Sequence, residues 1–139
     1  LPSPGHGAKI FIGMLLILTI AVAFTGALLA PTSASKVPPA TPEVFVSILS
    51  GSQNPGTLIT FSSQNITVVI GTNNTVEWTN NDAAPHTVTS QTIPAGAASF
   101  NSGILSQGQT FVYTFSVPGT YYYICTIHNW MHGWVTVKS

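Results

Sequence analysis

The sequence predicts an all-β sandwich of about eight short strands, preceded by one apolar helix near the amino end. Three observations carry this. From Glu43 onward apolar residues recur with a period of two, the pattern of a strand with one face buried. Turn residues punctuate that alternation at 51–56, at 71–74 and at Pro118-Gly119. Residues 10–30, by contrast, hold no charged side chain over 21 positions.

In chain order, residues 1–9 form an irregular lead-in broken by Pro2, Pro4, Gly5 and Gly7. His6 lies on that terminus and is assigned no role. Residues 10–30 would span ~32 Å as a helix, about one bilayer hydrocarbon core, and read as a transmembrane segment. A cleaved secretory signal is the competing reading, since Ala30 and the small residues at 33–35 would suit a peptidase. The length of the apolar run favours retention. Lys9 and Lys36 flank it almost symmetrically and orient it poorly; an extracytoplasmic position for the following domain puts the amino end inside. Residues 31–42 carry four prolines among Ser, Thr and Ala, a semi-rigid linker reaching ~37 Å at ~3.1 Å per residue.

The domain of residues 43–139 follows. Val44, Val46 and Ile48 alternate with Phe45 and Ser47, and residues 58–61 are the next strand candidate. Ile66, Val68 and Ile70 share one face, and Val76 and Trp78 flank Glu77. Residues 86–90 make a short strand, and Phe111, Tyr113 and Phe115 alternate again. Tyr121, Tyr123 and Cys125 share a face, and residues 134–137 close the sandwich.

The chain has three lysines, three acidic residues, no arginine and no net charge. That excludes a nucleic-acid partner and makes electrostatic steering weak. Solubility rests on Ser, Thr and Asn. Two acceptor triplets for N-glycosylation, at Asn65 and Asn73, fit a surface-exposed domain.

The chemistry concentrates in residues 121–137, Tyr-Tyr-Tyr-Ile-Cys-Thr-Ile-His-Asn-Trp-Met-His-Gly-Trp-Val-Thr-Val. Cys125 is the only cysteine and can make no internal disulfide. Alone it would read as a small buried hydrophobe. It stands three residues before His128 and six before Met131, at the end of a strand. Thiolate, imidazole and thioether are the donors that suit copper in both its oxidation states. Such a site needs a second imidazole, and His86, held by Pro85 in Asn-Asn-Asp-Ala-Ala-Pro-His-Thr-Val, is placed to supply it. Zinc would prefer Cys, His or carboxylate in place of Met131. His132, next to Met131, competes for the axial place.

The Cys-x-x-His-x-x-Met loop and the Pro-His stretch together resemble the cupredoxins, the small blue-copper proteins, and among them the amicyanin-like and archaeal plastocyanin-like members. The resemblance implies a Greek-key sandwich over about residues 43–139. It implies one type 1 copper held by His86, Cys125 and His128, with Met131 axial and His132 a surface neighbour. It also implies that the Thr87 N–H donates to the Cys125 sulfur. Where the commonest family pattern has proline two residues after the cysteine, this chain has Ile127, whose N–H is free for a second bond to the thiolate. His128 is expected near the surface, ringed by Asn129, Trp130 and Trp134, an apolar docking face of the kind the family uses.

Four protein ligands with no open position argue for electron transfer over catalysis, so the chain is expected not to be an enzyme. A multicopper oxidase would need a second domain and further histidine clusters, and a binuclear copper centre a second cysteine. The expectation is a blue-copper protein held in the cell membrane by a single pass, its copper domain extracytoplasmic. It would shuttle single electrons between respiratory membrane complexes, tethered freely or as a fixed subunit. Its partners would be membrane lipid and a redox protein, with no small-molecule substrate. The alternative is a filament or surface-assembly subunit that uses the apolar helix for assembly, against which the prolines and glycines before Lys9 count.

Overall fold

A computed structural model describes residues 41–139. The expected lead-in, transmembrane helix and nearly all of the linker lie outside the described residues. Among the described residues no helix is long and apolar enough to cross a membrane.

Seven strands form: β1 Val44–Ile48, β2 Asn65–Val69, β3 Thr75–Asn80, β4 Thr89–Thr92, β5 Thr110–Thr114, β6 Gly119–Ile124 and β7 His132–Lys138. They make two sheets, of order β1-β3-β5 and β2-β7-β6-β4. Pairing is parallel for β1 with β3 and for β2 with β7, and antiparallel elsewhere. The parallel pairs come from strands distant in sequence, so the sandwich closes through long-range contacts rather than through hairpins alone.

The period-two reading holds where the pleat is regular. In β1, Val46 and Ile48 are buried; in β6, Tyr121 and Tyr123 are buried and Cys125 continues their face. Between the sheets Trp78 meets Tyr123 edge-on at 5.6 Å and stacks on Phe100 at 6.1 Å, while Phe61 meets Tyr123 at 5.1 Å. Each such side chain contributes about 1.5–3 kcal/mol by leaving water. Gly133 faces Tyr123 across β6 and β7, and a Cβ there would overlap the phenol.

Two expected strands change. Residues 58–61 make no strand: Leu58 and Ile59 are exposed, Thr60 and Phe61 are both buried, and only an isolated bridge joins Phe61 to Ile48. Two outward residues followed by two inward ones cannot follow a pleat. Residues 86–90 are also not one strand. His86 forms an isolated bridge with Leu105, and pairing with β6 begins only at Thr89. The reason lies in the donors between, since the Thr87 N–H goes to the Cys125 sulfur and the Val88 N–H to Ser102 Oγ. Backbone groups given to side chains are lost to the ladder. The last strand starts at His132, two residues earlier than expected.

Candidate metal centre

The loop after β3 and the loop between β6 and β7 meet at one end of the sandwich and bring three donors together. His86 Nδ1 and His128 Nδ1 each lie 3.7 Å from Cys125 Sγ and 3.1 Å from one another. His86 and Cys125 are fully buried, and His128 is half-buried.

The loop after Cys125 is tight because it bonds to itself. The Cys125 N–H donates to the Met131 carbonyl at 3.1 Å, and the Met131 N–H donates to the His128 carbonyl at 3.0 Å. Met131 is fully buried in the core cluster that also holds Cys125. His132, its neighbour, takes the opposite face, as successive strand residues must. There its ring packs against Trp134 at 5.0 Å and Tyr122 at 6.1 Å.

Thr87 ties the two loops. Its N–H reaches the Cys125 sulfur at 3.3 Å, as the resemblance implied, and its Oγ1 accepts the Thr126 N–H at 2.8 Å. The second bond considered for the thiolate does not form, since Ile127 makes no hydrogen bond to the sulfur and its side chain turns outward, 45% exposed. The rim is also smaller than expected. Trp130 packs on His128 at 5.2 Å and its Nε1 donates to the Ser52 carbonyl at 3.0 Å, but Trp134 belongs with Tyr122 and His132.

Sequence reasoning assigned Asp82 nothing, yet it stands directly behind His86. Its carboxylate is buried, and Oδ2 lies 2.9 Å from His86 Nε2. The N–H groups of Gly51 and Ala83 donate to Oδ1, each at 2.9 Å, and that of Gln53 donates to Oδ2 at 3.1 Å. The Gln53 amide, with its nitrogen toward Asp82, adds contacts of 2.7 and 2.8 Å. Asn80, buried at the end of β3, accepts the Asp82 N–H and donates to the Ala84 and Leu105 carbonyls. The available signal was one of only three acidic residues standing four before a histidine.

Burial pushes the Asp82 carboxyl up, but the bonds from Gly51, His86, Gln53 and Ala83 outweigh it and hold the pKa below the usual carboxylate value. His128 lies below the ordinary histidine value because burial and the neighbouring His86 disfavour its charge, with Asp82 opposing.

The chain belongs to the plastocyanin/azurin family of copper binding proteins, whose family model matches residues 48–138. It is 41% identical over 63 residues to amicyanin-alpha of Methylorubrum extorquens, a match covering 45% of this chain and 53% of that protein. The chain spans about half the length of the curated relatives it matches. Among solved structures it is similar to a purple cupredoxin from Nitrosopumilus maritimus, at 34% identity and a TM-score of 0.59 over 68% of this chain and 99% of that one. It is also similar to part of a copper-containing nitrite reductase from Thermus scotoductus, at 26% identity and a TM-score of 0.57, covering 77% of this chain but 24% of that one. The cofactor of this class is one type 1 copper. The donors here fit it: two imidazole nitrogens and a thiolate converge within 4.8 Å, and the sulfur already accepts a backbone N–H.

Proposed function

We propose that the chain is a membrane-anchored, extracytoplasmic electron carrier whose copper is held by His86 Nδ1, Cys125 Sγ and His128 Nδ1, with Met131 as the weak axial donor. Convergence of those three atoms at the end of a braced sandwich is the observation that carries the copper reading. Copper, when bound, supplies the uptake and release of a single electron.

The remaining work belongs to the protein. A thiolate and two imidazoles suit both oxidation states, and Thr87, Thr126 and the closed 125–131 loop hold them in place, so little rearrangement accompanies transfer. The Thr87 N–H stabilises the electron-rich sulfur. The half-buried His128 and Trp130 and the exposed Ile127 form the apolar edge of the site, where a redox protein of a respiratory membrane complex would dock. With six charged residues in the chain, contact there is apolar and insensitive to salt. The uncharged segment 10–30 supplies the anchor.

The copper-loaded chain is expected to be intensely coloured by thiolate-to-Cu(II) charge transfer, and Cys125→Ser to abolish the colour. Colour surviving in that variant, measured by visible and paramagnetic-resonance spectra, would end the blue-copper reading. Mild detergent should release the chain from membranes singly or with a respiratory complex. Detergent-resistant fibres would instead favour a filament subunit.

A further inference from the structure

Asp82 does more than close a loop. Among the described residues it is the acid in contact with a proposed copper ligand, and the three backbone groups that meet its oxygens, the N–H groups of Gly51, Gln53 and Ala83, are all donors, as expected around an ionised carboxylate. An ionised carboxylate only accepts, so the proton between Asp82 Oδ2 and His86 Nε2 sits on the histidine nitrogen. A neutral imidazole protonated at Nε2 leaves a lone pair on Nδ1. That is the nitrogen aimed at Cys125 Sγ and His128 Nδ1. The carboxylate cannot swing away, because backbone N–H groups of Gly51, Gln53 and Ala83 clamp both oxygens and Asn80 fixes its main chain.

The same clamp reaches the other side of the site. Gly51 and Gln53 hold Asp82, while Ser52 between them accepts the Trp130 indole N–H beside His128. One three-residue stretch therefore braces the segments carrying both imidazoles. A neutral Asn at position 82 would keep the shape and one acceptor oxygen, with its amide nitrogen in place of the other. What Asn cannot supply is the negative charge.

We propose that Asp82 is a positioning residue of the metal centre: its buried carboxylate fixes His86 in the Nε2–H form, presents Nδ1 to the metal, and through its charge strengthens that imidazole as a donor. The inference rests on the copper reading of the same site. A stronger imidazole donor favours Cu(II) over Cu(I), so Asp82 holds the reduction potential below the value a neutral partner would give.

The test uses the copper-loaded 139-residue chain and its Asp82→Asn variant. Colour in the unsubstituted chain checks the copper reading separately. In Asp82→Asn the colour is expected to remain while Cu(II) affinity falls about tenfold relative to Cu(I), the lower end of what such partners contribute. A tenfold change is a rise in potential of about 59 mV for a one-electron couple. An unchanged potential in a folded, coloured variant would reduce Asp82 to a loop staple and overturn the proposal. Should the variant not fold, nitrogen-15 resonance of His86 in the unsubstituted, metal-free chain decides. A protonated Nε2 with a bare Nδ1 supports the proposal, and a proton on Nδ1 or an even mixture of the two forms overturns it.

Discussion

Buried polar groups behave differently in two regions of this sandwich. Around the donor cluster, Asn80, Asp82, His86 and Thr87 are buried and hydrogen-bonded. Elsewhere in the core Thr60 Oγ1 is buried with no partner, and so are two polar atoms on aromatic rings, Trp78 Nε1 and the Tyr123 hydroxyl. The first set is costly to bury and so has to be placed; the last two ride on large aromatic rings whose apolar area outweighs an idle polar atom. The difference separates residues kept for position from residues kept for volume.

The largest expected effect breaks the networked end. Asp82→Ala would leave the Gly51, Gln53 and Ala83 N–H groups and His86 Nε2 facing a void. Leaving a buried donor unpaired costs about 1–3 kcal/mol, and with four left at once the loss should be at least several kcal/mol, to be read from urea unfolding of the metal-free protein. A loss below ~1 kcal/mol would mean water replaces the carboxylate and the two regions do not differ.

A second test exploits the idle hydroxyl. Burial pushes the Tyr123 phenol from 10.0 up to about 12; the Trp78 indole nearby opposes this only in part, since it lacks hydrogen-bond geometry. A pKa raised on folding gives stability that is fully present below pH 10 and is lost as pH rises toward 12. At ~1.4 kcal/mol per pH unit, that gap corresponds to about 3 kcal/mol. Unfolding at alkaline pH should show this slope, and Tyr123→Phe should flatten it. A slope that persists in Tyr123→Phe would assign it to other tyrosines, with Tyr113 and Tyr121, both also raised by burial, the first to check.

Gly133→Ala sharpens the comparison from the packing side. The added methyl would overlap the Tyr123 phenol, and overpacking of a filled core costs about 1–3 kcal/mol. Thermal unfolding of the variant measures it; no loss would show that the ring shifts freely, contrary to a core filled by shape. The smallest effect is Tyr123→Phe at neutral pH. Its hydroxyl makes no bond, so stability should change by less than ~1 kcal/mol, against the several lost at Asp82.

Strand parity was readable from the sequence because the pleat repeats every two residues, a constraint internal to each strand. Val46, Trp78, Tyr121 and Tyr123 all face the core on that ground. The closeness of Cys125, His128 and Met131 was readable too, since seven covalently linked residues cannot stray far apart. The need for a second imidazole pointed to His86, and the resemblance added the Thr87 N–H, which composition and spacing alone would not have joined to the sulfur.

Other features depended on which surfaces meet when the sheets close. The Thr87 bond to sulfur spans 38 residues, and the Trp130 bond to Ser52 spans 78. Bonds over such separations leave no local period to detect. That is why the break in pairing at residues 86–88 and the grouping of Trp134 with Tyr122 emerged only in three dimensions. Asp82 shows the limit most plainly. In sequence it is a loop carboxylate that would ordinarily lie in water; only the folded 51–53 backbone behind it supplies the donors that make its burial stable and turn it toward His86.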